Sequence, residues 1–401
     1  MKTRKPRQSM VALFGVVTVL SLVATGCSAT DATGGTDGET VKLGAILPIT
    51  GPVSEWGESN GAILKMLQSD VNADGGINGK QLEIVIYDSG AKGVEAGNLV
   101  RKLASEDNVL AIMGPFTSSE AEVAFPVANQ MKIPMTSQAS SKPGVAEANR
   151  PWAFRNTVDE SIYLKAVVPA MVEATGAKDI TIAYDSADAV GSSLGTKILP
   201  SVLEGAGLKV VNPDNPVTFG TTDIDLKAQA GTIASGGADA VGVGAFYNGA
   251  AKLLRAMDQQ GLKTPIFGGS TLVSANILEA APDIPIFSAG TYYPGVESAE
   301  DWTKRAVEVF AAEKVPGAPT MFDSQLYEIG LMYVEAIRAE NLDKEDLVAA
   351  REGIRDFMTN LKGFDGLTSK ISMKESGDAS RDFFVIRGED GAWSELKKVS
   401  P

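Results

Sequence analysis

The stretch Ile112-Met113-Gly114-Pro115-Phe116-Thr117-Ser118-Ser119-Glu120, with its sequel Ile133-Pro134-Met135-Thr136-Ser137-Gln138-Ala139-Ser140-Ser141-Lys142-Pro143, decides the fold. Val109 to Met113 is an apolar run of strand length. Gly114-Pro115 interrupts it, and Thr117-Ser118-Ser119-Glu120 starts a helix ahead of Val123, Phe125 and Val127. A second strand, Lys132 to Thr136, ends in another hydroxyl-rich turn. Two successive strand ends thus present Ser and Thr side chains and backbone N–H groups side by side, and in open α/β sheets ligands bind there. Helix N-termini carry unpaired N–H groups and partial positive charge, which suits a carboxylate or another small anion. A purely structural role, with Ser118 and Ser119 capping the helix, uses the same residues.

The rhythm of strand then helix extends both ways from this stretch. Upstream, Val41 to Leu47 reads as a buried strand; Ile63, Leu64, Met66, Leu67 and Val71 follow at helical spacing until Gly75-Gly76; Leu82 to Tyr87 is a strand and Val94 to Ala104 an amphipathic helix. Downstream, helix and strand alternate again from Ile162 to Gly268, helices dominate from Ala299 to Met358, and Phe383 to Arg387 returns to strand. Strand and helix in repeated alternation mean parallel sheets with right-handed crossovers. Two α/β sets of similar length predict two lobes, although no clear sequence repeat relates them.

The N-terminal end reads as a precursor. Residues 1–9 carry Lys2, Arg4, Lys5 and Arg7 with no acid, Met10 to Val23 is almost wholly apolar, and Ala24-Thr25-Gly26-Cys27 follows. That is the pattern of a secretory signal peptide over residues 1–26, too short to prefer a membrane span. Cys27 is the sole cysteine, so it has no internal disulfide partner. Residues 27–40 hold no large apolar side chain and read as a flexible tether. The formal charge of the 401 residues is −14, and losing the four basic leader residues would take it to −18. Nucleic acid and anionic lipid headgroups are therefore poor partners. About 360 residues follow the tether, enough for roughly two domains. No second apolar stretch is long enough to span a bilayer.

The chain contains no histidine. Gly191-Ser192-Ser193-Leu194-Gly195 has the spacing of a serine-hydrolase elbow, but that nucleophile needs an imidazole base. Without His, and with Cys27 at the leader boundary, a zinc or copper site lacks its usual ligands. Gly242-Val243-Gly244 lacks the third glycine of a dinucleotide loop, and Asn78-Gly79-Lys80 lacks the glycine spacing of a phosphate loop. Ser394-Glu395-Leu396-Lys397 is a bare tetrapeptide in a charged tail. The expectation is a protein that is not an enzyme and that needs neither cofactor nor metal.

The opening stretch, together with Leu47-Pro48-Ile49-Thr50-Gly51-Pro52-Val53-Ser54-Glu55-Trp56-Gly57 and Asp74-Gly75-Gly76-Ile77-Asn78-Gly79-Lys80, resembles the leucine/isoleucine/valine-binding branch of the type I periplasmic binding proteins. The resemblance runs from about Val41 to the C-terminus. It implies two Rossmann-like lobes with parallel sheets, joined by a multi-strand hinge, with the ligand cleft between them. Lobe I would comprise residues 41–157 and 290–364, lobe II residues 158–289 and 365–401, with crossings near Arg155 to Glu160, Ser288 to Tyr293 and Gly363 to Ser369. It implies a monomeric, exported solute receptor that closes on its ligand and is then recognised by ABC permease subunits. Ala24-Thr25-Gly26-Cys27 resembles a bacterial lipobox, with Ala24 where Leu is commoner, which makes Cys27 the lipidated anchor to the membrane.

By the same resemblance, Ser118 and the turn Ala139, Ser140 and Ser141 hold a ligand carboxylate, and Trp56 walls its side chain. Phe246 and Phe322 match further aromatic positions, with packing as their alternative role. Two positions depart from the family. Its loop tyrosine falls at Val190, and the glutamate that pairs with the ligand ammonium falls at Ser270. A buried ammonium without a carboxylate is costly, so an amino-acid ligand needs another acid, for which Asp323, Asp185 and Asp188 are the candidates by position, Asp323 having a structural role that fixes the hinge as its equal alternative. The alternatives are a receptor for a carboxylate or amide without an ammonium, or a sensing module on the same fold that signals through a membrane partner.

Overall fold

A computed structural model of the protein describes residues 40–220 and 222–400. The leader, Cys27 and the tether as far as residue 39 lie outside the described residues.

The first α/β set comprises β1 (Val41–Leu47), α1 (Ser54–Ala73), β2 (Leu82–Asp88), α2 (Gly93–Ser105), β3 (Ile112–Met113), α3 (Ser118–Met131), β4 (Met135–Ser137) and β5 (Ala153–Arg155). The second begins with α4 (Glu160–Thr175), β6 (Asp179–Asp185), α5 (Ala189–Ser193) and α6 (Leu199–Gly205). It continues through β7 (Lys209–Val210), β8 (Val217–Phe219), α7 (Lys227–Gly236), β9 (Ala240–Gly244) and α8 (Tyr247–Gln259), then β10 (Ile266–Gly268), α9 (Ala275–Leu278) and β11 (Ile286–Gly290). Three helices follow, α10 (Glu300–Glu313), α11 (Met321–Ala339) and α12 (Leu347–Thr359). The chain ends in β12 (Phe364–Asp365), β13 (Lys370–Met373), β14 (Ala379–Arg381), β15 (Phe383–Glu389) and β16 (Ala392–Val399).

The first sheet has the order β2-β1-β3-β4-β5 and is parallel throughout. The second runs β16-β15-β11-β10-β9-β6-β7, with β8 also paired to β6, and only β15 and β16 are antiparallel to their neighbours. The two sheets share a related wiring: in the first, β1 separates the edge strand β2 from β3, and in the second, β6 separates the edge strands β7 and β8 from β9. Each has a switch point at the first strand's C-terminal end, between β1 and β3 and between β6 and β9, where loops diverge and leave a crevice. Residues β12 to β14 form a small antiparallel sheet of their own. The fold is two α/β lobes joined by several strands.

Each lobe is built by one-sided burial. On α4, Tyr163, Leu164, Val167, Val168 and Met171 are fully buried, each adding roughly 1.5–3 kcal/mol of apolar burial. In the first lobe α1 presents Ile63, Leu64 and Leu67, all fully buried, toward the core it shares with α11. The switch point there depends on Gly114. Its φ is +99°, and a Cβ would stand 2.3 Å from the Ile46 carbonyl oxygen on β1, so only glycine lets β3 turn off so close to its neighbour. Between α5 and α6 the helical backbone passes through a π turn at Leu194–Ile198.

Candidate functional site

The helix that follows β3 is capped by Thr117, not by Ser118 or Ser119. Thr117 Oγ1 accepts the Glu120 N–H at 3.2 Å and Glu120 Oε2 accepts the Thr117 N–H at 2.8 Å, a reciprocal capping box. This leaves the Ser118 hydroxyl, buried at the first helical position, to face the turn after β4. Ser118 Oγ there accepts Ser140 Oγ at 3.1 Å and the Lys142 N–H at 3.3 Å. Ser137 organises that turn from below, taking the N–H groups of Ala139 and Ser140 at 3.3 and 2.9 Å and donating to the Pro115 carbonyl at 2.7 Å. Arg155 clamps it from the other side through the carbonyls of Ser140 and Lys142, at 2.9 and 2.7 Å. The structure thus brings Ser118, Ala139, Ser140 and Ser141 together as a hydroxyl-rich surface at the N-terminus of α3, cross-linked by its own hydrogen bonds.

Beside it lies a cluster of five aromatic rings. Trp56 stacks on Phe116 with centroids 5.3 Å apart and planes 22° apart. It meets Phe246 at 5.0 Å, Tyr247 at 5.1 Å and Phe322 at 6.0 Å. Trp56, Phe116 and Phe322 belong to the lobe of the first sheet, Phe246 and Tyr247 to that of the second. All are buried, so the two lobes meet through these rings and the remaining cavity is about 50 Å³, lined among others by Glu55, Trp56, Tyr247, Ser274 and Asn276. Trp56, Phe246 and Phe322 carry family positions, whereas Phe116 and Tyr247 do not. Phe116 follows the strand break in the opening stretch, and Tyr247 follows Phe246 directly, so proximity to marked residues was the only signal for either.

The acids are arranged differently from expectation. Asp323 is fully buried and committed to structure: its Oδ2 accepts the Thr320 N–H and hydroxyl at 2.8 Å each, capping α11, and its Oδ1 accepts Asn60 at 2.7 Å. Burial raises its carboxyl above the ordinary range. Asp188 caps α5 by accepting the Gly191 N–H at 2.7 Å, and burial raises it too. Asp185 accepts the Ala187 N–H at 2.9 Å. Val190 is buried and apolar. Ser270 lies against an acid that the sequence had not marked. Its N–H and its hydroxyl both donate to the carboxylate of Glu160, the N–H at 3.1 Å. Glu160 opens α4 and is 1% exposed. Burial is the main cause that pushes its carboxyl up to about 7, opposed by the bonds from Ser270 and Ser141.

Across the mouth of the cleft, Tyr247 shares a hydrogen bond with Glu55 on α1, and Asn248 donates to Glu55 Oε1 at 3.4 Å. Burial raises the Glu55 carboxyl above its ordinary value. Among the described residues no group of three or more Cys, Asp or Glu side chains is placed to hold a metal ion, and no helix is long and apolar enough to cross a membrane.

Two α/β lobes, a shared aromatic cleft and a donor-lined helix terminus define a solute-binding protein. The chain belongs to the periplasmic binding protein family, whose model matches residues 40–392. It is similar to the leucine-, isoleucine-, valine-, threonine- and alanine-binding protein of Pseudomonas aeruginosa, 24% identical over 361 residues that cover 90% of this chain and 93% of the relative. Among solved structures it is similar to a branched-chain amino acid transporter substrate-binding protein of Streptococcus pneumoniae in complex with isoleucine, with TM-score 0.77, 20% identity and coverage of 90% and 100% of the two chains. It is also similar to an ABC transporter solute-binding protein of R. palustris in complex with benzoate, with TM-score 0.75, 21% identity and coverage of 90% and 97%. These likenesses carry the fold.

Proposed function

We propose that the protein is the lipid-anchored solute receptor of an ABC importer and that its cleft takes a small carboxylate-bearing ligand, a branched-chain or other hydrophobic amino acid. The observation that carries this reading is the placement of the Ser118, Ser140 and Ser141 donor surface beside the rings of Trp56, Phe116, Phe246, Tyr247 and Phe322. One end of the cleft suits a carboxylate and the other an apolar side chain. The names of the Pseudomonas relative and the isoleucine complex support an amino acid. The benzoate complex favours the second reading, a carboxylate without an ammonium, for which five rings also make a wall.

The lobes would divide at residues 41–157 with 290–364, and at 158–289 with 365–401. Because rings from both lobes wall the cleft, ligand entry requires hinge opening and binding drives closure, the form that permease subunits then engage. Export places the receptor outside the cytoplasm, with Cys27 holding it to the membrane as a monomer. A thermal-shift screen of hydrophobic amino acids and their deaminated acids tests the class, since ligand at a hundredfold excess over Kd adds about 2.7 kcal/mol. Stabilisation by neither set overturns the receptor reading, and stabilisation by the acids alone selects the second.

A further inference from the structure

The donor surface at the N-terminus of α3 has a buried acceptor directly beside it. Ser141, on that surface, reaches Glu160 across the cleft, and Ser270, in the same lobe as Glu160, holds its carboxylate. The groups facing Glu160 are the hydroxyls of Ser141 and Ser270, the carboxylate of Asp159 next to it in the chain and the phenol of Tyr163 one turn on. None is a cation. A wholly buried carboxylate among hydroxyls and a second acid is an expensive arrangement to keep for structure alone, whereas the same carboxylate opposite an incoming cation is an ion-pairing site.

The surroundings are shaped to hold it there. A Cβ on Gly269 would lie 1.6 Å from Glu160 Oε2, so the carboxylate occupies the space that any other residue at position 269 would fill. The position where the family resemblance expects an acid holds Ser270, and a different helix sends an acid onto that serine.

We propose that Glu160 is the counter-ion of the ligand ammonium, with Ser270 positioning it, and that the ligand is therefore a zwitterion whose carboxylate lies on the Ser118–Ser140–Ser141 surface. This rests on the solute-receptor reading above and selects its amino-acid form over the ammonium-free carboxylate. Burial holds the Glu160 carboxyl up at about 7, which adds a consequence: pairing with an ammonium favours the ionised form, so binding below that pH releases a proton.

Calorimetry of the whole receptor with leucine and with 4-methylpentanoate, its carboxylate lacking the ammonium, tests this in wild type and Glu160→Gln. The glutamine keeps the size and the bond to Ser270 but removes the charge. The expected result is that the ratio of leucine to 4-methylpentanoate affinity falls by roughly a hundredfold in the variant. An unchanged ratio overturns the assignment, as does a wild type that binds the acid and no amino acid, a result that leaves the receptor reading standing. A wild type that binds neither these two nor any other hydrophobic amino acid or acid overturns both. If Glu160→Gln fails to fold, wild-type titrations at pH 6 in buffers of different ionisation heat decide: proton release on leucine binding, absent with 4-methylpentanoate, supports the pairing, and no linked release overturns it.

Discussion

Arg381 on β14 and Glu328 on α11 form a buried, two-pronged ion pair, with Arg381 Nη2 2.9 Å from Glu328 Oε1 and Nη1 bonded to Oε2. The segments that join the lobes converge on it. Asn156, after β5, donates to Glu328 at 3.0 Å and accepts from Arg381 at 3.3 Å. Thr368, beyond β12, accepts from Arg381 at 3.2 Å and donates to the carbonyl of Thr291, just after β11, at 2.7 Å. One charge pair thus ties together the segments that join the lobes, and removing either partner leaves a buried, unpaired charge. Arg381→Ala is expected to lose roughly 3–5 kcal/mol of stability, measured by denaturant unfolding. A loss below 1 kcal/mol would show that the pair contributes little to the hinge.

Tyr247 and Asn248 reach Glu55 from the other lobe, the polar contact that accompanies ring packing across the cleft. Tyr247→Phe keeps the ring and removes the bond, at a net loss of about 1 kcal/mol to the closed form. The ligand-free variant is expected to have a larger radius of gyration than wild type by small-angle X-ray scattering. Superimposable curves would refute the latch.

Glu160 makes stability depend on pH independently of any ligand. Its folded value of about 7 exceeds the ordinary 4.5, so the folded state binds the proton more tightly than the unfolded chain. This group's contribution is therefore most favourable below pH 4.5, declines as pH rises from 4.5 to 7, and remains a penalty above. Relative to wild type, Glu160→Gln should gain roughly 2–3 kcal/mol at pH 8 and little at pH 4.5. Melting curves of both proteins without ligand across that range check the sign, and a gain that grows toward low pH contradicts it.

Gly269 and Glu160 share one volume. Gly269→Ala should destabilise by roughly 1–3 kcal/mol through overpacking, and Glu160→Ala in the same chain should restore most of that loss. Additive losses in the double-mutant cycle would mean the two positions are not in contact in solution.

Cys27→Ser is expected to release the protein from the membrane fraction while the folded domain keeps its melting temperature, read by fractionation and circular dichroism. Unchanged membrane association would remove Cys27 as the anchor.

The element order was legible because it rests on periodicity. β1, β2 and α2 begin and end within a residue or two of where apolar spacing puts them, and α1 ends where Gly75-Gly76 stops it but starts at Ser54, nine residues before the first apolar position read as helical. The antiparallel hairpin of β15 and β16 was only half legible: Phe383 to Arg387 is apolar enough to announce a strand, whereas Ala392–Val399 is mostly exposed and charged, so nothing in its pattern separates it from a tail. Which hydroxyl caps α3 was left open by the sequence, since Thr117, Ser118 and Ser119 are equivalent caps by composition and only the reach of Glu120 selects Thr117.

The sequence by itself determined two α/β lobes, a serine-rich helix start after the third strand, and the absence of any histidine for acid–base chemistry, while the place of Trp56 beside that helix start was implied by the family resemblance. Those are properties of residue type and of spacing over a few positions, which short-range sterics and apolar periodicity translate directly into structure. Which acid stands at Ser270 was decided only by the tertiary structure. Glu160 and Ser270 are 110 positions apart and meet because α4 and the end of β10 pack within one lobe. Asp323, closer to the expected site in the family's pattern, is drawn away by the unpaired N–H groups of α11. A carboxylate goes where buried donors need it, and the donors are assembled only when the chain has folded.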